Sequence, residues 1–88
     1  MTQPLAGKHI LIVEDEPVFR SLLDSWLSSL GAITSLAEDG IDALEKMISI
    51  TPDLMICDIE MPRMNGLKLV EHLRNEGNQT PILVISAT

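Results

Sequence analysis

The chain has 88 residues, 45% of them hydrophobic and 22% charged, the length and balance of one small globular domain. Thirteen acidic residues against six basic ones leave a formal charge of −7, which argues against a direct nucleic-acid binder and suits cations or basic partner surfaces. The single cysteine rules out an internal disulfide framework, no apolar run nears the roughly 18 residues of a membrane span, and Met1–Leu5 lacks the layout of a signal peptide; a cytoplasmic chain without membrane association is expected.

Lys8–Val13 is an apolar run rich in Ile, Leu and Val, too short for a helix, and is predicted to be a buried strand. From Glu16 to Leu30 the residues Phe19, Leu22, Leu23, Trp26, Leu27 and Leu30 recur at helical spacing. Glu16 and Pro17 suit the first turn of that helix, and Gly31 suits the cap that ends it. Ala32–Leu36 is a weaker strand. Asp39-Gly40 opens a second helix with Ile41, Leu44, Met47 and Ile48 on one face, which Thr51-Pro52 should stop. Asp53–Cys57 reads as a third strand, 58–65 as a turn-rich loop, Gly66–Glu76 as a third helix carrying Leu67, Val70 and Leu73, and Pro81–Ser86 as a fourth strand. The order β-α-β-α-β-α-β predicts a three-layer α/β fold, a doubly wound parallel sheet with right-handed crossovers and helices on both faces.

Ligands of such a sheet gather beyond the carboxyl ends of its strands. Glu14, Asp15 and Glu16 follow the first strand; Asp58, with Glu60 two residues on, follows the third; Ser86 follows the fourth. If the first and third strands are neighbours, Glu14, Asp15 and Asp58 converge, and no basic residue stands where it would neutralise them. Carboxylates ~4 Å apart at an effective dielectric of ~20 repel by about 4 kcal/mol per pair. Either one is protonated or a cation sits among them. An all-oxygen donor set suits Mg²⁺ or Mn²⁺, and neither cysteine nor histidine is placed for zinc. Such an ion prepares phosphoryl transfer, with an aspartate as nucleophile and a serine hydroxyl bonding the phosphoryl oxygens. Taken singly, these residues have plainer readings: Glu14 and Asp15 as a helix cap, Asp58 as a turn residue. Their joint placement at three strand ends is what carries the functional reading.

Other residues read as structural. His9 is a structural or surface histidine, His72 shares a solvated face with Lys68 and Glu76, and Cys57 is buried and inert. Trp26, Met47 and Met55 fill the core. Met61-Pro62 and Met64 suggest a rigid loop held down onto the fold, closed by Gly66 at a backbone angle that other residues resist.

Three segments in this order, Ile12-Val13-Glu14-Asp15-Glu16, Asp58–Gly66 and Val84-Ile85-Ser86-Ala87, make the chain resemble a response-regulator receiver domain, the CheY-like branch of flavodoxin-like folds. The resemblance implies strand order 2-1-3-4-5. It also implies that residues 1–88 are an incomplete receiver domain, because a fourth helix, a fifth strand with its lysine, and a fifth helix would follow. Ile82–Ile85 would then be an unprotected edge, so the isolated piece is expected to self-associate, swap elements or be the ordered remnant of a longer chain. By the same resemblance Asp58 is the phosphoacceptor and Ser86 holds the phosphoryl group. Mg²⁺ is held by Asp15, Asp58 and the backbone carbonyl of Glu60, with Glu14 acting through water. The implied phosphodonor is a sensor histidine kinase or a small molecule. The domain is then regulatory rather than an enzyme, catalysing only its own phosphorylation and dephosphorylation. Met1–Leu5, Phe19–Trp26 and Asp53–Asp58 are also similar to the start of adaptors that deliver the stationary-phase sigma factor to the ClpXP protease. That similarity implies a protein–protein output modulated by phosphorylation. Two other readings stay open: a pseudo-receiver that binds without phosphorylation, and a metal-dependent phosphatase, against which stands Glu60 where a general acid Asp would be needed.

Overall fold

The computed structural model describes residues 3–86. The elements run β1 (His9–Val13), α1 (Pro17–Ser29), β2 (Ile33–Ala37), α2 (Gly40–Lys46), β3 (Leu54–Asp58), α3 (Gly66–Asn75) and β4 (Ile82–Ile85). All the strands pair in parallel, in the order β2-β1-β3-β4, so the expected α/β sheet and the first four places of its expected order are present. The central strand β1 matches Val13 to Ala37 on one side and to Cys57 on the other. This register sets Glu14 and Asp58, the next residues along, beside each other at the carboxyl end of the sheet.

Alternation along the strands builds two apolar layers. Leu11, Val13, Met55 and Cys57 face α2 and α3, where Ala43, Leu69 and Leu73 are buried. Ile10, Ile12 and Ile56 face α1 and bury Leu27. Met55 and Cys57 are core residues as expected, and Met47 packs against the first layer from its rim. β4 lies at the edge with Leu83 exposed. Among the described residues, no helix is long and apolar enough to cross a membrane.

Several sequence expectations shift here. Trp26 is not core filling: it is 59% exposed, as are Val18 and Leu22 in large part, because α1 turns Leu23 and Leu27 to the sheet instead. The second helix stops at Lys46, well before Pro52. Ile48 and Ser49 donate to the carbonyls three residues back, Glu45 and Lys46, in a tightened last turn that leaves Ile48 exposed. In α3 the buried face runs through Leu69 and Leu73, four residues apart, while Leu67 points to solvent. His72 is exposed and pairs with Glu76 at 3.0 Å, as expected of a solvated face. His9 is structural: its Nε2 lies 2.8 Å from Ser35 Oγ, at the opposite end of the strands from the carboxylates. Met1, Thr2 and Ala87, which belong to the motifs above, lie outside the described residues.

The exchange of Leu67 for Leu69 on the core side gives a direct stability test. Leu69→Ala should lower the unfolding free energy by about 2–5 kcal/mol, whereas Leu67→Ala should stay within about 0.5 kcal/mol, read by urea denaturation.

Candidate functional site

Glu14 directly after β1 and Asp58 at the end of β3 bring their side chains to one point. One carboxylate oxygen from each of Glu14, Asp15 and Asp58 lies within 4.8 Å of the other two. Glu14 is 1% exposed and Asp58 is buried, while Asp15 is open to solvent. They floor a cleft of about 610 Å³ that is walled by Glu16, by residues 59–62 and by Asn65. The plainer capping role belongs to Glu16 alone, whose carboxylate accepts from Phe19 N at 2.7 Å. Glu14 and Asp15 are thus released for the cleft.

The electrostatics are those of crowded acids. Both side-chain oxygens of Glu14 are buried without a hydrogen-bond donor, an arrangement that costs more than an ordinary unmade bond. Burial first, then the contact with Asp58 and the charges of Asp58 and Asp15, raise the Glu14 carboxyl to about 7. Arg20 is the nearby base that the sequence did not reveal, but its Nη1 donates to the backbone carbonyl of Glu14 at 2.8 Å. It steadies the strand end and leaves the carboxylates facing each other. An all-oxygen cluster with the buried, donor-less Glu14 at its base is what a hard divalent cation fits. Cys57, next to Asp58, is no part of it: burial and the Asp58 charge push its thiol up to about 11.

The loop after β3 forms the opposite wall. Glu60 N reaches Asp58 Oδ1 at a long 3.4 Å, while the exposed Glu60 side chain stands outside the carboxylate cluster. Gly66 closes the loop, donating to the Ile59 carbonyl at 2.9 Å. Its requirement is space, not the special backbone angle expected: a Cβ at Gly66 would run into the carbonyl oxygen of Asp58. The left-handed residue is Arg63, at φ 65°. Met61 and Met64 pack half-buried against the core, as the rigid-loop expectation required. Ser86 comes directly after β4, whose Ile85 pairs with Asp58; it is exposed and does not line the cleft.

One contact had no sequence signal. The Arg63 guanidinium binds the carboxylate of Asp39, 24 residues away, through two hydrogen bonds. It holds that carboxyl below the usual aspartate range.

Linkage gives the cleft a testable pH signature. In the metal-free protein the folded state binds a proton on Glu14 that the unfolded chain, titrating near 4.5, has lost. The stability this proton contributes is full below 4.5 and is lost as pH rises through about 7. Asp39 works the other way, but only in strong acid. The urea midpoint should therefore fall between about pH 5 and pH 7.5 in the absence of divalent metal, and Glu14→Gln should flatten that slope.

Comparison with known proteins points the same way. The family described as "Response regulator receiver domain" matches residues 10–88. "Regulator of RpoS" of Escherichia coli K12 is 78% identical over all 88 residues, which span 26% of that protein's length. The response regulator TrrA of Thermotoga maritima, solved in complex with Mg²⁺ and BeF, is 40% identical with a TM-score of 0.85, covering 92% of this chain and 70% of that one. The receiver domain of a Pseudomonas aeruginosa sensor histidine kinase, with a magnesium ion coordinated in its active site cleft, is 32% identical with the same TM-score, covering 94% and 70%.

Proposed function

Since this chain belongs to the response regulator receiver domain family, we propose that it is a phosphoacceptor switch in which Asp58 takes the phosphoryl group. The observation that carries this reading is the buried meeting of Glu14 and Asp58 beside Asp15, with no donor on Glu14. Among the described residues, these acids have the oxygens to hold Mg²⁺, joined by the backbone carbonyl of Glu60. When bound, the ion supplies the positive charge that offsets an incoming phosphoryl group.

In the proposed step a carboxylate oxygen of Asp58 attacks the phosphorus of a phosphohistidine or of acetyl phosphate. A P–O bond to Asp58 forms as the donor's P–N or P–O bond breaks, and imidazole or acetate departs with the bonding pair. Water later cleaves the acyl phosphate, returning the carboxylate and inorganic phosphate. Ser86, at the neighbouring strand end, is proposed to donate its hydroxyl to the phosphoryl oxygens. In this reading the chain catalyses only its own phosphorylation and dephosphorylation, and it works in the cytoplasm.

The output we propose is a protein–protein contact. The E. coli relative is a "Regulator of RpoS", and identity across this whole stretch supports the same role for the longer protein. Phosphorylation of Asp58 would then modulate delivery of the stationary-phase sigma factor to ClpXP. The net charge of −7 suits a basic partner surface.

Intact-mass analysis of the full-length protein with Mg²⁺ and acetyl phosphate tests the core of this reading. One labile phosphoryl group should appear, vanish with EDTA, and be absent in Asp58→Asn. Labelling that persists in the variant would remove Asp58 from the role, and no labelling of the wild type would favour a pseudo-receiver.

A further inference from the structure

Arg63 sits at the tip of the loop between β3 and α3, in a left-handed conformation that only glycine adopts freely. Two things hold it there: across the residue, Met64 N donates to the Pro62 carbonyl at 2.7 Å, and the side chain forms a fork in which Nε donates to Asp39 Oδ2 at 2.6 Å and Nη2 donates to Oδ1 at 2.9 Å. The pair is lopsided, with the arginine side chain 54% exposed and the aspartate 5% exposed. A pair of solvated charges fixes little, but two parallel bonds onto a buried carboxylate fix both distance and plane.

Asp39 is itself anchored. It caps α2 by accepting from Asp42 N at 2.8 Å. It follows β2, whose Ala37 carbonyl accepts from Glu14 N at 3.0 Å. Beside it the loop is in tight contact with α2, for a Cβ at Gly40 would meet that of Met64 at 2.8 Å. The Gly66–Ile59 bond ties only the ends of the loop. Glu60, Met61 and Pro62, which wall the cleft, lie between those ends and the Arg63 tip, with Met61 packed against the core.

We infer that Arg63 is a positioning residue, whose fork on Asp39 pins the loop tip to the first turn of α2 and so holds the Glu60–Pro62 wall in place over Asp58. The inference rests on the reading of Asp58 and its neighbours as a metal-dependent phosphoacceptor. It adds that the cation affinity of that site is set in part by an ion pair on another element.

Two substitutions separate this role from plain structural support. Glycine suits the left-handed backbone, so Arg63→Gly removes the fork without a backbone penalty. Asparagine caps a helix as well as aspartate does, so Asp39→Asn removes the charge and keeps the cap. In the full-length protein titrated with MgCl₂ by calorimetry, each should weaken binding about 10-fold, the usual scale for lost outer-shell support. The double variant should be no weaker than either single one, and Arg63→Lys should recover part of the loss. Phosphorylation by acetyl phosphate at saturating Mg²⁺ should stay within about twofold of wild type, since the fork acts through the cation site. Single variants that bind Mg²⁺ within about twofold of a wild type that is itself phosphorylated would overturn the positioning role alone. Additive losses in the double variant would also overturn it. A wild type that neither binds Mg²⁺ nor takes a phosphoryl group would overturn the phosphoacceptor reading first, and this inference with it.

Discussion

Glu14 follows β1 and Asp58 ends β3, and the register of these neighbouring parallel strands sets their carboxyls together inside the protein. The rest of the cleft is built around this juxtaposition. Two acids that share so little water cannot both stay charged unless something positive joins them. Among the described residues, the two arginines nearest the cleft are engaged elsewhere: Arg20 goes to a backbone carbonyl and Arg63 to Asp39. The sheet therefore keeps a site whose charge is balanced only by a proton or a cation. That readiness is what the phosphoryl-accepting role proposed for Asp58 requires.

The loop from Ile59 to Asn65 answers the same constraint from the other side. It is held at its base where Gly66 lies against the Asp58 carbonyl, and at its tip by Arg63 on Asp39. Met61 and Met64 bury part of its length against the α2–α3 layer. A wall fixed at several points keeps its backbone groups beside the carboxylates, and such preorganisation would lower the entropic cost of binding the proposed cation.

Much of this was legible in the chain. The strands are short runs of Ile, Leu and Val that only a covered sheet buries, and their alternation with helices dictated parallel pairing. The acids after β1 and β3 were legible as a site because a parallel sheet collects its strand ends on one side. Helix faces were harder. Leu67 and Leu69, or Trp26 and Leu27, are equally apolar as letters, and which of each pair is buried depends on the angle at which the helix meets the sheet. The end of α2 is hidden for a related reason: Pro52 forbids helix nearby, but the chain tightens and leaves the helix at Lys46 once Met47 has reached the core.

Residue order alone determined the α/β alternation, the acidic character of the cleft and the identity of the three carboxylates that share it, since these follow from periodicity and from what stands after each strand. The tertiary structure decided which carboxyl is buried without a donor, why Gly66 must be glycine, and that Arg63 belongs to Asp39. Each of those depends on the distance between segments far apart in the chain. Such distances are set only when the two apolar layers close on the sheet and bring β1, β3 and the first turn of α2 to the same edge.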